Sequence, residues 1–249
     1  MNSRCLMKTK QEDISLSERI KAEAMSLGFS ACGIARAERV SVVHENYLLR
    51  WLECGKQADM RYMENYLSLR LDPRVLHPGT CSVISVAMAK NVLDEYADYH
   101  KVIRKKLRTL LPLLNSANEG NSDIKHRICV DSAPILERYW AQQAGIGWIG
   151  KHHNLIVPDV GSLVMLGEIL TPLVLDYDSP MQSRCGECQL CIEACKGNVL
   201  RDLFDTGRCV SYLTIEDPRL GEHRRDYKWA KKNGKPYGCE ACQMACPFN

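Results

Sequence analysis

No run of about 20 apolar residues, the length that crosses a bilayer as a helix, occurs in this chain. The opening residues, Met-Asn-Ser-Arg-Cys-Leu-Met-Lys-Thr-Lys, lack the apolar core of a secretory leader. Neither sign of charge dominates: 33 Lys and Arg stand against 30 Asp and Glu, a net charge of +3. So small a bias permits an anionic partner without demanding one. Internal repetition is also missing, apart from two related cysteine motifs. These absences exclude a helical membrane protein and lead us to expect a cytoplasmic one, with no membrane partner, in a compartment that keeps thiols reduced. What is present is ordinary for a globular protein, 45% hydrophobic and 25% charged over 249 residues. That length suffices for one sizeable domain and a small one.

The strongest signal is cysteine. Cys185, Cys188, Cys191 and Cys195 follow the spacing C-x2-C-x2-C-x3-C. Cys239, Cys242, Cys246 and Pro247 repeat its end, with the first cysteine displaced upstream to Cys209. This is the ligand pattern of bacterial two-cluster proteins, in which the fourth cysteine of a run serves the other [4Fe-4S] cluster. The spacing therefore assigns Cys185, Cys188, Cys191 and Cys246 to one cluster, and Cys195, Cys209, Cys239 and Cys242 to the other. Structural zinc would use tetrahedral sets built from separate pairs. Disulfides conflict with the reducing compartment. Of the remaining thiols, Cys5, Cys32, Cys54, Cys81 and Cys129, those at 32, 81 and 129 lie in apolar runs and read as core packing.

Upstream, the pattern predicts helices over 13–27, 43–54, 60–70 (stopped by Pro73), 98–114 and 134–144. Strands are predicted over 30–35, 81–89 and 127–131, and a hairpin from the runs 154–157 and 162–170 around Pro158-Asp159-Val160-Gly161. The helix after Asp98 has a basic face, Lys101, Arg104, Lys105, Lys106 and Arg108, of the kind that is usually solvated. Mixed helices and strands imply an α+β domain over residues 1–180, followed by a ferredoxin-like domain over 181–249.

Three features are ambiguous from the residues alone. Gly145-x-Gly147-x-x-Gly150 matches a dinucleotide fingerprint in form, yet a helix precedes it and strand-like sequence follows, so phosphate would find no helix N-terminus. A tight turn beside another cofactor fits better. Asp131 lies between a strand and a helix, where an N-cap is the favoured reading and a general acid at a strand end the functional one. His152 and His153, if on a strand, would point to opposite faces.

Several segments resemble the epoxyqueuosine reductase family. They are Leu27-Gly-Phe-Ser-Ala-Cys-Gly-Ile-Ala35, Leu69-Arg70-Leu-Asp-Pro-Arg74, Asp98-Tyr-His-Lys-Val-Ile-Arg-Lys-Lys-Leu107, Asp131-Ser-Ala-Pro-Ile-Leu-Glu-Arg138, Gly145-Ile-Gly-Trp-Ile-Gly-Lys-His-His-Asn154, both cysteine motifs, and Cys209-Val-Ser-Tyr-Leu-Thr-Ile-Glu216. The resemblance implies an N-terminal mixed α/β cobalamin-binding domain like that of reductive dehalogenases and nitroreductases. It implies cobalamin reduced through the clusters, and reductive removal of the epoxide oxygen of epoxyqueuosine in tRNA to give queuosine. Asp131 carries over as proton donor, an acid whose pKa burial should raise. Arg70, Tyr99, His100, Asp131, Lys151, His152, Asn154 and Ser211 carry over as cobalamin contacts.

The implied partners are a tRNA anticodon stem-loop and an external low-potential electron donor, with a monomeric enzyme between them. Family members commonly continue into helical repeats that help hold tRNA, so a chain ending at Asn249 reads as a short member lacking them. The basic stretch His223 to Lys235 is either a phosphate contact, aided by Tyr227 and Trp229, or a solvated loop between ligands. Two other functions stay open: a corrinoid and iron–sulfur reductase of a small molecule (or activator of a corrinoid protein), and a two-cluster electron carrier. The long segment before the clusters weighs against the carrier.

Overall fold

The computed structural model describes residues 14–93, 98–116, 124–218, 232 and 238–249. Cys5 and, apart from Lys232, the basic stretch His223 to Lys235 lie outside the described residues. Helix α1 (Leu16–Ser26) opens with a capping box, in which Ser15 and Glu18 satisfy each other's backbone N–H through their side chains. It ends before Gly28, whose φ of 85° is the left-handed stop that glycine takes without strain. Strand β1 (Ala31–Arg36) and helix α2 (Val42–Glu53) follow.

The single helix expected over 60–70 is broken. A 3-10 turn spans Arg61–Met63, Tyr66 is left-handed at φ 59°, and α3 covers only Leu67–Leu71. Pro73 does not simply end a helix; it opens α4 (Pro73–Leu76), with Asp72 as its cap. Proline's fixed φ and missing N–H suit the first helical position.

Strand β2 (Ser82–Ala89) is buried along nearly its whole length. Helix α5 (Tyr99–Ser116) buries Ile103, Leu107, Leu110 and Leu114 at helical spacing. Strand β3 (Arg127–Cys129), helix α6 (Glu137–Gln143), the short strands β4 (Trp148–Ile149) and β5 (Leu155–Ile156), and β6 (Val164–Thr171) complete this part.

The main sheet has the order β1-β2-β6-β3, with every neighbouring pair antiparallel. Alternate residues serve opposite faces. Ile84, Val86 and Ile169 pack with Ile20, Ile103 and Leu107 of α1 and α5. Val83, Cys129 and Leu170 pack with Tyr139 and Trp140 of α6. The result is an α+β layer structure. The expected hairpin around Pro158–Gly161 is not formed: β5 pairs with β4 in a separate sheet, and β6 fills the gap between β2 and β3. A single bridge, Val157 to Gly161, remains of it. The longer β6 ladder, satisfied on both edges, outweighs a local pairing.

Beyond residue 181 the helices are short: α7 (Leu190–Glu193), α8 (Val210–Ile215) and a last turn at Ala241–Met244. Trp51 Nε1 donates to Phe204 O at 2.7 Å, and Lys56 pairs with Asp205 at 2.7 Å, fastening this region to the C-terminal side of α2. Among the described residues, no helix is long and apolar enough to cross a membrane.

Candidate active site and metal centres

Asp131 stands just beyond β3, at φ 59°. Such a conformation is uncommon outside glycine and is tolerated best by Asn and Asp. The turn is held on both sides. The N–H of Asp131 donates to Glu137 Oε1 at 2.6 Å. Arg104 Nη2 donates to Val130 O at 3.1 Å and Ser132 Oγ at 2.6 Å. The Asp131 carboxylate meets His100 Nε2 at 3.0 Å, and His100 Nδ1 meets Asp98 Oδ1 at 2.9 Å. Tyr99 stacks on the His100 ring with centroids 3.9 Å apart. The hydrogen bond that His100 donates to Asp131 is the main cause that raises the His100 pKa. Burial, then the Asp131 charge, pushes the Tyr99 phenol up to about 12.

Two expectations for Asp131 are corrected. It caps no described helix, because α6 starts at Glu137 with Leu136 in the cap position. Two tight turns intervene, Ser132 N–H to Val130 O and Ile135 N–H to Ala133 O. Nor is Asp131 buried: its side chain is 60% exposed. The burial falls on Glu137, whose carboxyl is pushed up to about 7 by desolvation and, secondarily, by the Asp131 charge. Further in, Glu168 of β6 is wholly buried, with both carboxyl oxygens unpartnered among the described residues. Burial holds it well above the usual carboxylate range.

Arg70 donates through Nη2 to Tyr62 O at 2.9 Å, while its buried Nε has no partner among the described residues. That free donor fits a ligand with an amide-rich periphery, such as a corrinoid. Tyr62 lies within electrostatic reach of Asp131, of Arg70 and of Glu216 at the end of α8. Arg70, Tyr99, His100 and Asp131 thus share one region.

Lys151, His152 and Asn154 lie in the turn between β4 and β5, which Arg138, the neighbour of Glu137, reaches by donating to His153 O. Lys151 Nζ donates to Gly186 O at 2.6 Å and Cys188 O at 3.0 Å. His152 Nδ1 accepts the Asn154 N–H at 3.2 Å. The two histidines sit in this turn and not on a strand, yet they do diverge. His152 lines a cavity with cysteines, while His153 packs against Tyr47 and Phe204, where burial lowers its pKa to about 4.

That cavity, partly open to solvent, is lined by Cys185, Cys188, Cys191 and Cys246, together with Lys151, His152, Ile156, Pro247 and Phe248. The other four cysteines form a second group. Burial, then Cys195, Cys239 and Cys209, pushes the Cys242 thiol up to about 12, and Cys191 adds a smaller push from the first group. The two groups are therefore neighbours. Ser211 lies beside the second group: burial raises the Cys209 thiol pKa, and the backbone N–H groups of Tyr212 and Ser211 oppose that rise. Val199 N–H donates to Cys195 Sγ at 3.5 Å.

The twelve described cysteines are all free thiols. Among the described residues, no group of His, Cys, Asp or Glu closes tightly enough to hold a single metal ion. A tetrahedral zinc site needs such convergence. A cubane does not, because each thiolate ligates a different iron, so thiols spread around a cavity fit it.

Glu137, Asp98 and Arg104 are parts of this site that sequence reasoning missed. Asp98 and Glu137 lie inside the quoted family segments, and Glu137 is an acidic residue in a helical first turn, which reads as favourable dipole placement. Arg104 lies on a helix face that reads as solvated in sequence, although its guanidinium reaches across to Val130 O and Ser132 Oγ.

The model described as "Epoxyqueuosine reductase QueG, DUF1730" matches residues 70–132, and that described as "4Fe-4S double cluster binding domain" matches residues 184–249. An epoxyqueuosine reductase of Cellulophaga algicola is 36% identical over 258 residues, covering 98% of this chain and 81% of the relative. A crystal structure of epoxyqueuosine reductase with an epoxyqueuosine-modified tRNA-Tyr stem loop superposes with a TM-score of 0.81 at 28% identity, covering 94% of this chain. An epoxyqueuosine reductase of Bacillus subtilis, with its aspartate catalytic loop swung out of the active site, gives 0.79 at 27% identity and the same coverage of this chain. The chain spans 65% of the length of each of these two structures. A catabolic reductive dehalogenase shares the fold more distantly, with a TM-score of 0.54 at 14% identity over 93% of this chain.

Proposed function

Because the chain belongs to the epoxyqueuosine reductase family, we propose that it removes the epoxide oxygen of epoxyqueuosine in tRNA to give queuosine. The change takes up two electrons and two protons and releases the oxygen as water. The observation that carries this reading is the Asp131 turn, which presents an acid beside His100 in a chain that also gathers two groups of four thiols.

Cys185, Cys188, Cys191 and Cys246 would hold one [4Fe-4S] cluster, and Cys195, Cys209, Cys239 and Cys242 the other. Arg70, Tyr99, His100, Lys151, Asn154 and Ser211 would contact cobalamin, whereas the His152 ring faces the first group of thiols. When bound, the clusters supply single electrons and cobalamin the low-potential cobalt that reduces the epoxide. The protein's own part is protonic and positional. Asp131 gives its proton to the departing oxygen, and its exposure lets solvent restore that proton. His100, tied back by Asp98, supports the carboxylate. Glu137 and Arg104 fix the turn from both sides, so the acid meets the substrate without first having to be ordered.

In this reading, residues 1–180 form the catalytic domain and 181–249 the ferredoxin-like domain. The protein works as a monomer in the cytoplasm, where its many free thiols stay reduced, and receives electrons from an external low-potential donor. The test is anaerobically reconstituted protein with cobalamin, a reductant and an epoxyqueuosine-containing anticodon stem-loop, read by mass. Loss of one oxygen from the nucleoside is the expected result. Intact epoxide, from protein with full iron and bound cobalamin, would move the reading to a small-molecule corrinoid reductase. Full iron with no corrinoid binding would leave an electron carrier.

A further inference from the structure

We propose that His152 donates an N–H···S hydrogen bond to the cluster held by Cys185, Cys188, Cys191 and Cys246, and so sets the potential of that cluster apart from its neighbour's. The inference rests on the reading that these thiols hold a [4Fe-4S] cluster.

The tautomer follows from the hydrogen bonds. A backbone N–H can only donate, so the Asn154 N–H at 3.2 Å makes His152 Nδ1 an acceptor. The neutral ring then carries its proton on Nε2. The side chain is 3% exposed, and Nε2 has no partner among the described residues. A buried donor without an acceptor is costly. The ring lines the same cavity as the four cysteines, and a cluster there would bring sulfur acceptors to it. Gly150 leaves room for the ring, since a Cβ there would lie 3.2 Å from the His152 Cε1 and 2.6 Å from Ile156 Cδ1. Lys151 anchors the same turn to the ligand loop through Gly186 O and Cys188 O.

The second group is supplied differently. Its Cys195 sulfur receives the Val199 N–H, and the backbone N–H groups of Tyr212 and Ser211 lie near enough to Cys209 to oppose the rise in its thiol pKa that burial causes. Backbone donors persist through any substitution but proline, so among the described residues His152 is the side-chain donor that a substitution can remove without touching the backbone. Reduction adds negative charge to the cluster, which strengthens a hydrogen bond to its sulfur, and hydrogen bonds to sulfur are one determinant of cluster potential. Removing the donor should therefore make that cluster harder to reduce.

The experiment is a potentiometric EPR titration of the full chain, reconstituted and assayed for iron and sulfide. In His152→Leu, one midpoint should move to a more negative potential while the other stays in place. His152→Gln, which keeps an N–H donor, should recover part of the shift. Unchanged midpoints in His152→Leu with full iron, or equal movement of both, would overturn the proposal. Wild-type protein labelled with 15N-histidine provides a second readout that does not depend on the variant folding. Pulsed EPR should show nitrogen coupled to a reduced cluster, and no coupling at full iron content would end the inference while leaving the cluster reading intact. Wild-type protein that assembles no cluster would end both.

Discussion

Around the main sheet, Ile20, Ile84, Ile103, Leu107 and Ile169 are completely buried. Beyond residue 181, the best-buried apolar side chains described are Val210, Tyr212, Val199, Leu200 and Leu213, at 3–6% exposure. The helices differ in the same sense, with 18 residues in α5 against four in α7. A four-residue helix has little stability of its own. The sheet region thus holds its shape by burying apolar surface, while the described residues of the cysteine region bury little, and bound metal would supply what packing does not. The acid is built on the stable part, where a strand end and two side-chain anchors aim it. The cysteines sit on loops and in single helical turns that bound iron can organise.

Stripping iron is the sharpest way to break this comparison. With a chelator under reducing conditions, hydrogen exchange should rise throughout the described part of 181–249 while β2, β6 and α5 stay protected. Equal loss of protection in both regions would show that they form one cooperative unit. Within the cysteine region, Cys191→Ser should remove about half of the iron, whereas Cys54→Ser, at an exposed thiol outside both groups, should leave the iron content unchanged.

Asp131→Asn should lower turnover by about 10²–10⁴-fold, the usual contribution of general acid catalysis, with iron content and reduction potentials unaltered. A parallel loss of iron would mean that the acid site and the clusters are structurally inseparable. Arg104→Gln should cost less, about tenfold, in keeping with about 1.4 kcal/mol for charged hydrogen bonds to Val130 and Ser132. The decrease should appear mainly in kcat, because the loss is one of aim and not of substrate contact.

The smallest effect expected concerns pH. Glu137 has a folded pKa of about 7 against an ordinary 4.5, so the folded state binds its proton more tightly than the unfolded state does. That contribution is complete below about pH 4.5 and is lost as pH rises to about 7. Urea midpoints of wild type and Glu137→Gln should therefore differ in slope across this window, the variant being flatter. Identical slopes would show that Glu137 does not stay protonated in the folded protein.

Much of this was legible in one dimension. The C-x2-C-x2-C-x3-C run, its truncated echo and Cys209 mark the eight cysteines as one constellation, because spacing is a property of the chain; the fold places Cys185, Cys188, Cys191 and Cys246 around one cavity and Cys195, Cys209 and Cys239 beside Cys242. Helices α1, α2 and α5 were readable for a similar local reason: caps and apolar periodicity lie within one or two turns. Tertiary structure alone decided the rest. It gave β6 to β2 and β3 and withheld it from its neighbour in sequence, since ladder bonds on both edges outweigh proximity. It split the helix expected over 60–70 at a left-handed Tyr66. It also left Asp131 exposed and put Glu137 and Glu168 inside, since burial depends on what packs from distant segments. The pairing of Asp131 with His100 and the entry of His152 into the thiol cavity link residues on different elements, and no spacing rule records such distances.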